Sequence, residues 1–196
     1  MKRKKNSICI ILISILLGGC ESINNSSNTL DSNYQASKQS AIVGTAFYID
    51  SAIEGVTVQS KSTVSITNKQ GKFTFEVGQD CSFLIGDILL SKRGGISLDK
   101  MVLEDNIKTA QFLQSLDNDN YAENGITITE DVTNMLISHN IVKVPQTQDE
   151  LASIISMLQQ SNIGFGGDIV DENDAQDHLN WTKNRINNLP YFKTDL

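Results

Sequence analysis

At Gly94-Gly95 the spacing of apolar residues changes period, and that change restricts the fold of this 196-residue chain more than any other feature. Upstream, from Ala41 to Leu90, apolar side chains recur at every second position: Phe47 and Ile49, Val56 and Val58, Val64 and Ile66, Phe73, Phe75 and Val77, Phe83 and Ile85, Ile88 and Leu90. Alternation over short runs ended by Gly, Asn or Asp is the pattern of half-buried antiparallel strands joined by turns. The clearest hairpin is Thr67–Phe75, where Gly71 can supply a positive φ.

Downstream the spacing is helical. Leu103, Ile107, Ala110, Leu113 and Leu116 share one face, Val132, Met135, Leu136 and His139 a second, and Leu151, Ile154, Ile155 and Leu158 a third. Thr127 with Glu130 and Thr147 with Glu150 carry capping-box spacing, and a last helix through Ala175, Leu179, Thr182 and Ile186 stops before Pro190. Strands first and helices after is an α+β order. About 50 residues of β structure would bury too small a core alone, so the helices are expected to pack on the sheet. The expected fold is an N-terminal small antiparallel β-sandwich over 41–95 followed by a three- to four-helix part over 96–196.

The beginning of the chain predicts an address. Lys2-Arg3-Lys4-Lys5 precede the apolar run Ile8–Leu17, broken only by Ser14, which is the order of an export signal. About ten apolar residues are too few to span a bilayer, which takes roughly twenty. Leu17-Gly18-Gly19-Cys20 resembles the lipobox of bacterial lipoproteins. That resemblance implies a signal peptide over 1–19, cleavage before Cys20 and acylation of its thiol, leaving a mature chain that is tethered and does not span. Glu21 follows the cysteine where Asp is the usual inner-membrane retention signal of Gram-negative lipoproteins, so the resemblance implies the outer membrane. From Glu21 to Ser40 half of the residues are Ser or Asn, so 20–40 is expected to be a flexible tether, spanning on the order of 25 Å as a random coil.

Charge narrows the partners. The signal holds four of the 16 basic residues and none of the 23 acidic ones, so the mature chain would carry −11. An acidic surface repels phosphates, which argues against nucleic acid and against adhesion to anionic lipid. Of three cysteines, Cys9 would leave with the signal and Cys20 would be acylated, so Cys81 stands alone near the start of an apolar strand, where a small buried hydrophobe is expected.

Val43–Gly78 resembles the carboxypeptidase-regulatory-like β modules of the transthyretin type, through the Gly of the first strand, the Gly55-Val56 pair, and Thr67, Gly71 and Phe73. With "FLQSLDNDNYAENGITI" and "DAQDHL", the segment from Ala41 to Leu179 is also similar to a recurring region of exported Gram-negative surface lipoproteins, related to the N-terminal part of accessory colonisation factor D-like lipoproteins. The proteolysis of those proteins belongs to a zinc domain with an HExxH helix, and this chain has no HExxH. The resemblance therefore implies a surface or colonisation role without the enzyme.

One constellation offers metal chemistry. In Leu116–Ile128, Asp117, Asp119, Tyr121 (through its carbonyl), Glu123 and Asn124 place oxygens at the close spacing that Ca²⁺ uses. Gly125 falls ninth from Asp117 where an EF-hand has its glycine sixth, so this would be an irregular loop. The alternative is an Asp/Asn-rich connection whose side chains cap backbone groups. Gly164–Asp168 follows a helix and reads as a helix stop, and His139 and His178 lie in separate helices without a ligand pattern. No G-x-S-x-G, CxxC or P-loop occurs.

These features predict a lipid-anchored, non-enzymatic envelope or surface lipoprotein that requires no cofactor, with Ca²⁺ as the one candidate ion. Its expected partners are the membrane through Cys20 and another envelope protein or host surface molecule. The alternatives are an envelope or pilus assembly accessory, a toxin-immunity lipoprotein, and an enzyme with an unrecognised site.

Overall fold

The computed structural model describes residues 41–187. The expected signal peptide, Cys20, the tether and residues 188–196 lie outside the described residues.

The described chain is α+β. Strand β1 (Val43–Ile49) is the middle of a three-stranded sheet, antiparallel to β5 (Lys72–Glu76) and parallel to β8 (Met101–Leu103). A second, antiparallel sheet runs in the order β4 (Thr63–Ile66), β3 (Thr57–Ser60), β6 (Cys81–Ile85), β7 (Ile88–Arg93). The short strands β2 (Ile53–Glu54) and β9 (Ile126–Thr127) pair in parallel. The larger sheets meet through aromatic rings: Tyr48 of β1 lies 4.4 Å from Phe83 of β6, and Phe73 of β5 meets Phe83 edge-on at 5.2 Å. The result is a sandwich-like arrangement, with geometries that stabilise beyond area burial.

Between β4 and β5 the join is made by side chains. Ser65 Oγ accepts from the Thr74 N–H at 3.0 Å and donates to the Thr74 carbonyl at 2.9 Å. Two residues along, the Glu76 carboxylate accepts from the Ser62 N–H at 2.7 Å and from the Ser62 hydroxyl.

Four helices follow, α1 (Ile107–Ser115), α2 (Glu130–Ser138), α3 (Gln148–Gln160) and α4 (Glu172–Asn187). Asn106 caps α1 by accepting from the Lys108 and Thr109 N–H groups, and Thr147 caps α3 by accepting from Glu150 N–H at 3.2 Å. Phe112, Leu113, Leu136, Leu151 and Leu158 continue the same buried cluster as the sheet residues. Each such side chain contributes roughly 1.5–3 kcal/mol by leaving water. Helix α4 lies on α1, where Lys108 pairs with Glu172 at 2.8 Å and Gln114 Nε2 donates to the Ala175 carbonyl at 3.4 Å.

Four local expectations change. In β1 the fully buried positions are Ala46 and Tyr48, with Phe47 half-buried on the other face, because the Tyr48 ring fills the gap against Phe83. Val64 and Ile66 are exposed, since β4 turns Ser65 toward β5. Leu103 belongs to β8 alongside Ile49, and the first helix starts four residues later. Thr127 is a strand residue, and Thr129 caps α2 instead by accepting from the Val132 N–H at 3.3 Å.

Candidate binding cleft

After Ile49 the chain reverses through Asp50 and Ser51, and Ser51 takes the left-handed conformation, φ +56°. That conformation is costly for a residue with a Cβ and persists only when neighbours enforce it. Here α1 and α4 do so. Gln114 Nε2 donates to Asp50 Oδ2 at 2.7 Å, Ser51 N–H donates to Thr182 Oγ1 at 3.2 Å, and Ser51 Oγ lies 3.1 Å from His178 Nε2. Ala52 then accepts from the Ile126 N–H at 2.8 Å, which brings the short 3₁₀ turn Ala122–Asn124 beside the reversal.

Between that reversal, the 3₁₀ turn and the last turns of α4 opens a cleft of about 260 Å³. Phe47, Ile49, Met101 and Ile186 supply apolar walls, and Ser51, Glu123, Trp181 and Arg185 the polar and aromatic ones. On α4 the His178 ring stacks on Trp181 at 5.4 Å, and the Arg185 guanidinium lies 5.0 Å from the indole centroid. Such cation–π stacking fixes the guanidinium while leaving its hydrogen-bond donors free.

Behind the cleft sits a buried carboxyl. Asp50 is wholly inaccessible, and its Oδ1, 3.6 Å from His178 Nε2, has no hydrogen-bond partner among the described residues. Burial pushes its pKa up to about 7, against the lowering effect of the Gln114 amide and with a further rise from Glu104. Burial also holds the His178 imidazole below its ordinary value, opposed by Glu123.

Ser51, His178 and Asp50 invite comparison with a nucleophile–base–carboxylate relay. In such a relay the hydroxyl and the carboxylate engage opposite ring nitrogens, so that the carboxylate fixes the tautomer of the base. Here both approach Nε2. The group is placed as a cross-link between the reversal and α4.

The residues singled out in the sequence fall partly here. Asp117 is buried, and its Oδ1 and Oδ2 accept from the Thr127 and Tyr121 N–H groups at 2.8 and 2.9 Å. Asp119 accepts from Tyr121 N–H at 3.1 Å and from Asn124 Nδ2 at 3.0 Å, while the Tyr121 hydroxyl donates to Glu123 at 3.0 Å. The Tyr121 carbonyl accepts from the Asn124 N–H at 3.1 Å. These bonds shape the turn that carries Glu123 and Asn124 to the cleft. Burial raises the Asp117 pKa to about 6, whereas the Asn124 amide lowers that of Asp119.

Elsewhere, Gly164–Asp168 is a loop after α3, His139 is the exposed C-cap of α2, and the Cys81 thiol is buried, which raises its pKa. Among the described residues no His, Cys, Asp and Glu cluster of three or more is placed to hold a metal, and no helix is long and apolar enough to cross a membrane. Sequence reasoning did not single out Ser51, Trp181 or Arg185. The available signal was the chain's one tryptophan within a strongly polar helix, with His three residues before it and Arg four after. In comparisons with known proteins, no family model, no curated protein and no solved structure matches the chain.

Proposed function

We propose that the protein is a lipid-anchored, non-enzymatic lipoprotein of the outer membrane, held through Cys20. It acts as a binding or colonisation-accessory module whose partner is another envelope protein or a host surface molecule. The cleft carries this reading: a small apolar hollow edged by Trp181, Arg185 and Glu123 is the composition of a recognition site. We read the sandwich-like part as the transthyretin-like module that the Gly55-Val56 and Gly71 positions suggest; both glycines have positive φ. The lipobox supports the anchor.

Two experiments test it. Cys20→Ala should move the protein from the membrane fraction to the soluble fraction, and continued membrane association would reject the anchor. Immobilised protein should retain an envelope or host surface component that Trp181→Ala fails to retain; equal retention by both would remove the cleft from the reading.

A second reading, an enzyme of the acyl-transfer class in which Ser51 and His178 act as a dyad without Asp50 orienting the base, is favoured by the 3.1 Å contact between Ser51 Oγ and His178 Nε2 at the cleft and by the left-handed backbone of Ser51. It requires Ser51 to be labelled by an alkyl fluorophosphonate under conditions where Ser51→Ala is not.

A further inference from the structure

The cleft presents opposite charges that do not neutralise each other. Glu123, on the 3₁₀ turn, and Arg185, on α4, both line it. Glu123 accepts one hydrogen bond, from the Tyr121 hydroxyl at 3.0 Å, and among the described residues neither has an ion-pair partner. A charged head left unpaired at a concave apolar surface is available to a ligand, and charge complementarity then fixes which way the ligand lies.

Their positions set a length. The His178 ring, the Trp181 indole and the Arg185 guanidinium follow one another along α4 at 5.4 and 5.0 Å. Glu123 sits on the turn that Ala52 holds beside the reversal, and Ser51 of that reversal lies 3.1 Å from His178 Nε2. The acid and the guanidinium line one hollow of about 260 Å³, which as a rounded volume is about 8 Å across. An extended peptide advances roughly 3.3–3.6 Å per residue, so two or three residues bridge such a span. The lining also includes the apolar Phe47, Ile49 and Met101. A hollow of about 260 Å³ lies just below the size range of sites for drug-sized ligands, which suits a very short chain.

We infer that the cleft binds a short peptide of two or three residues with both ends free, its α-ammonium toward Glu123, its α-carboxylate on the Arg185 guanidinium and an apolar side chain against Phe47 and Met101. This rests on the reading of the cleft as a recognition site and names its ligand class. Arg185 suits the role because a guanidinium takes a carboxylate through two parallel hydrogen bonds, while its stacking on Trp181 holds the plane in place.

The chain's single tryptophan lies in the wall and reports occupancy directly. The intact protein is titrated with leucyl-leucine and trileucine while Trp181 emission is followed, and the titration is repeated with the N-acetylated and the C-amidated peptides. The free peptides should give a saturable change, and each capped form should bind at least about tenfold more weakly. Arg185→Gln should abolish discrimination against the amide alone, and Glu123→Gln discrimination against the acetylated form alone. Equal binding of free and capped peptides, or no saturable change, would overturn the inference. If the larger partner still depends on Trp181 in that case, the recognition site stands and only its assigned ligand falls.

Discussion

The Tyr48 hydroxyl donates to the Glu104 carboxylate at 2.5 Å, and both side chains are fully buried. Glu104 follows β8, so the bond ties the end of the parallel strand pair to the aromatic centre of the sandwich. The same carboxylate accepts from the Asn106 N–H at 2.8 Å, at the start of α1, and Arg93 stands 3.6 Å away. Burial, with the adjacent Glu104 charge, holds the Tyr48 pKa well above its ordinary value, so the phenol remains a donor. Tyr48→Phe keeps the ring and deletes the donor, leaving a buried carboxylate oxygen short of a partner. A loss of about 1–3 kcal/mol in urea unfolding is expected. In a double-mutant cycle with Glu104→Gln the two changes should couple by at least about 0.5 kcal/mol, and strict additivity would show that the bond carries no stability.

Asp50 predicts a pH dependence of unusual sign. Its folded pKa, raised to about 7, lies above the ordinary 3.8, so the folded protein holds this proton over a range where the unfolded chain has released it. Stability from Asp50 is therefore lost as pH rises through that interval and stays lost above it. His178 acts oppositely, because a lowered imidazole pKa adds stability as pH rises toward 6.5. Asp50→Asn removes only the falling component while retaining an acceptor for Gln114. The variant should gain on the wild type between pH 4 and 7, reaching a difference on the order of a few kcal/mol. Thermal unfolding at several pH values measures this, and a pH-independent difference would refute it.

Gly55 is the position where an added methyl should cost most. Its φ is +93°, and a Cβ there would stand 2.0 Å from the Ile128 carbonyl oxygen. Gly78 has a comparable φ of +80° with nothing within 4 Å of its Cβ position. Gly78→Ala should cost about 1 kcal/mol from backbone strain alone, and Gly55→Ala at least about 2 kcal/mol. A difference in Tm between the two variants checks the claim, at roughly 2–4 °C per kcal/mol for a chain of this size.

For the Asp117–Asn124 turn the ion test is direct. All four carboxylate oxygens of Asp117 and Asp119 already accept hydrogen bonds from the chain. Each oxygen keeps a second lone pair, but these bonds aim the carboxylates at the turn's own N–H groups, so excess Ca²⁺ is expected to leave the melting transition where it is. A rise that saturates with Ca²⁺ concentration would instead assign the turn to the ion.

The α+β order was legible because periodicity records burial, and burial decides which element forms. Phase was harder to read: in β1 Phe47 looks more apolar than Ala46 and Tyr48, yet an aromatic hydroxyl with a buried acceptor 56 residues away wins the core, while Ile49 is buried as its spacing suggests. Ser65 poses the same problem, since a serine facing inward has no local signature when its partner is the Thr74 backbone. The short pairing of Ile53 with Ile126 is likewise invisible in a two-residue strand. The cleft was missed because its residues come from positions 51, 123, 181 and 185, which no spacing rule joins. Only Glu123 was named in advance, and for a different chemistry.

The side-chain seam between β4 and β5 has a consequence for how the sheet margin meets other chains. A strand at the margin of a sheet ordinarily offers a row of peptide groups to any extended chain that drifts past, and neighbours can then stack without limit. At Thr74 both peptide groups are already engaged by one hydroxyl, and at Glu76 the N–H is turned to Ser60 Oγ at 3.3 Å. Trading that hydroxyl for a methyl, as Ser65→Ala would, strips the Thr74 N–H and carbonyl of their shared partner and leaves that stretch of the margin with two peptide groups to offer.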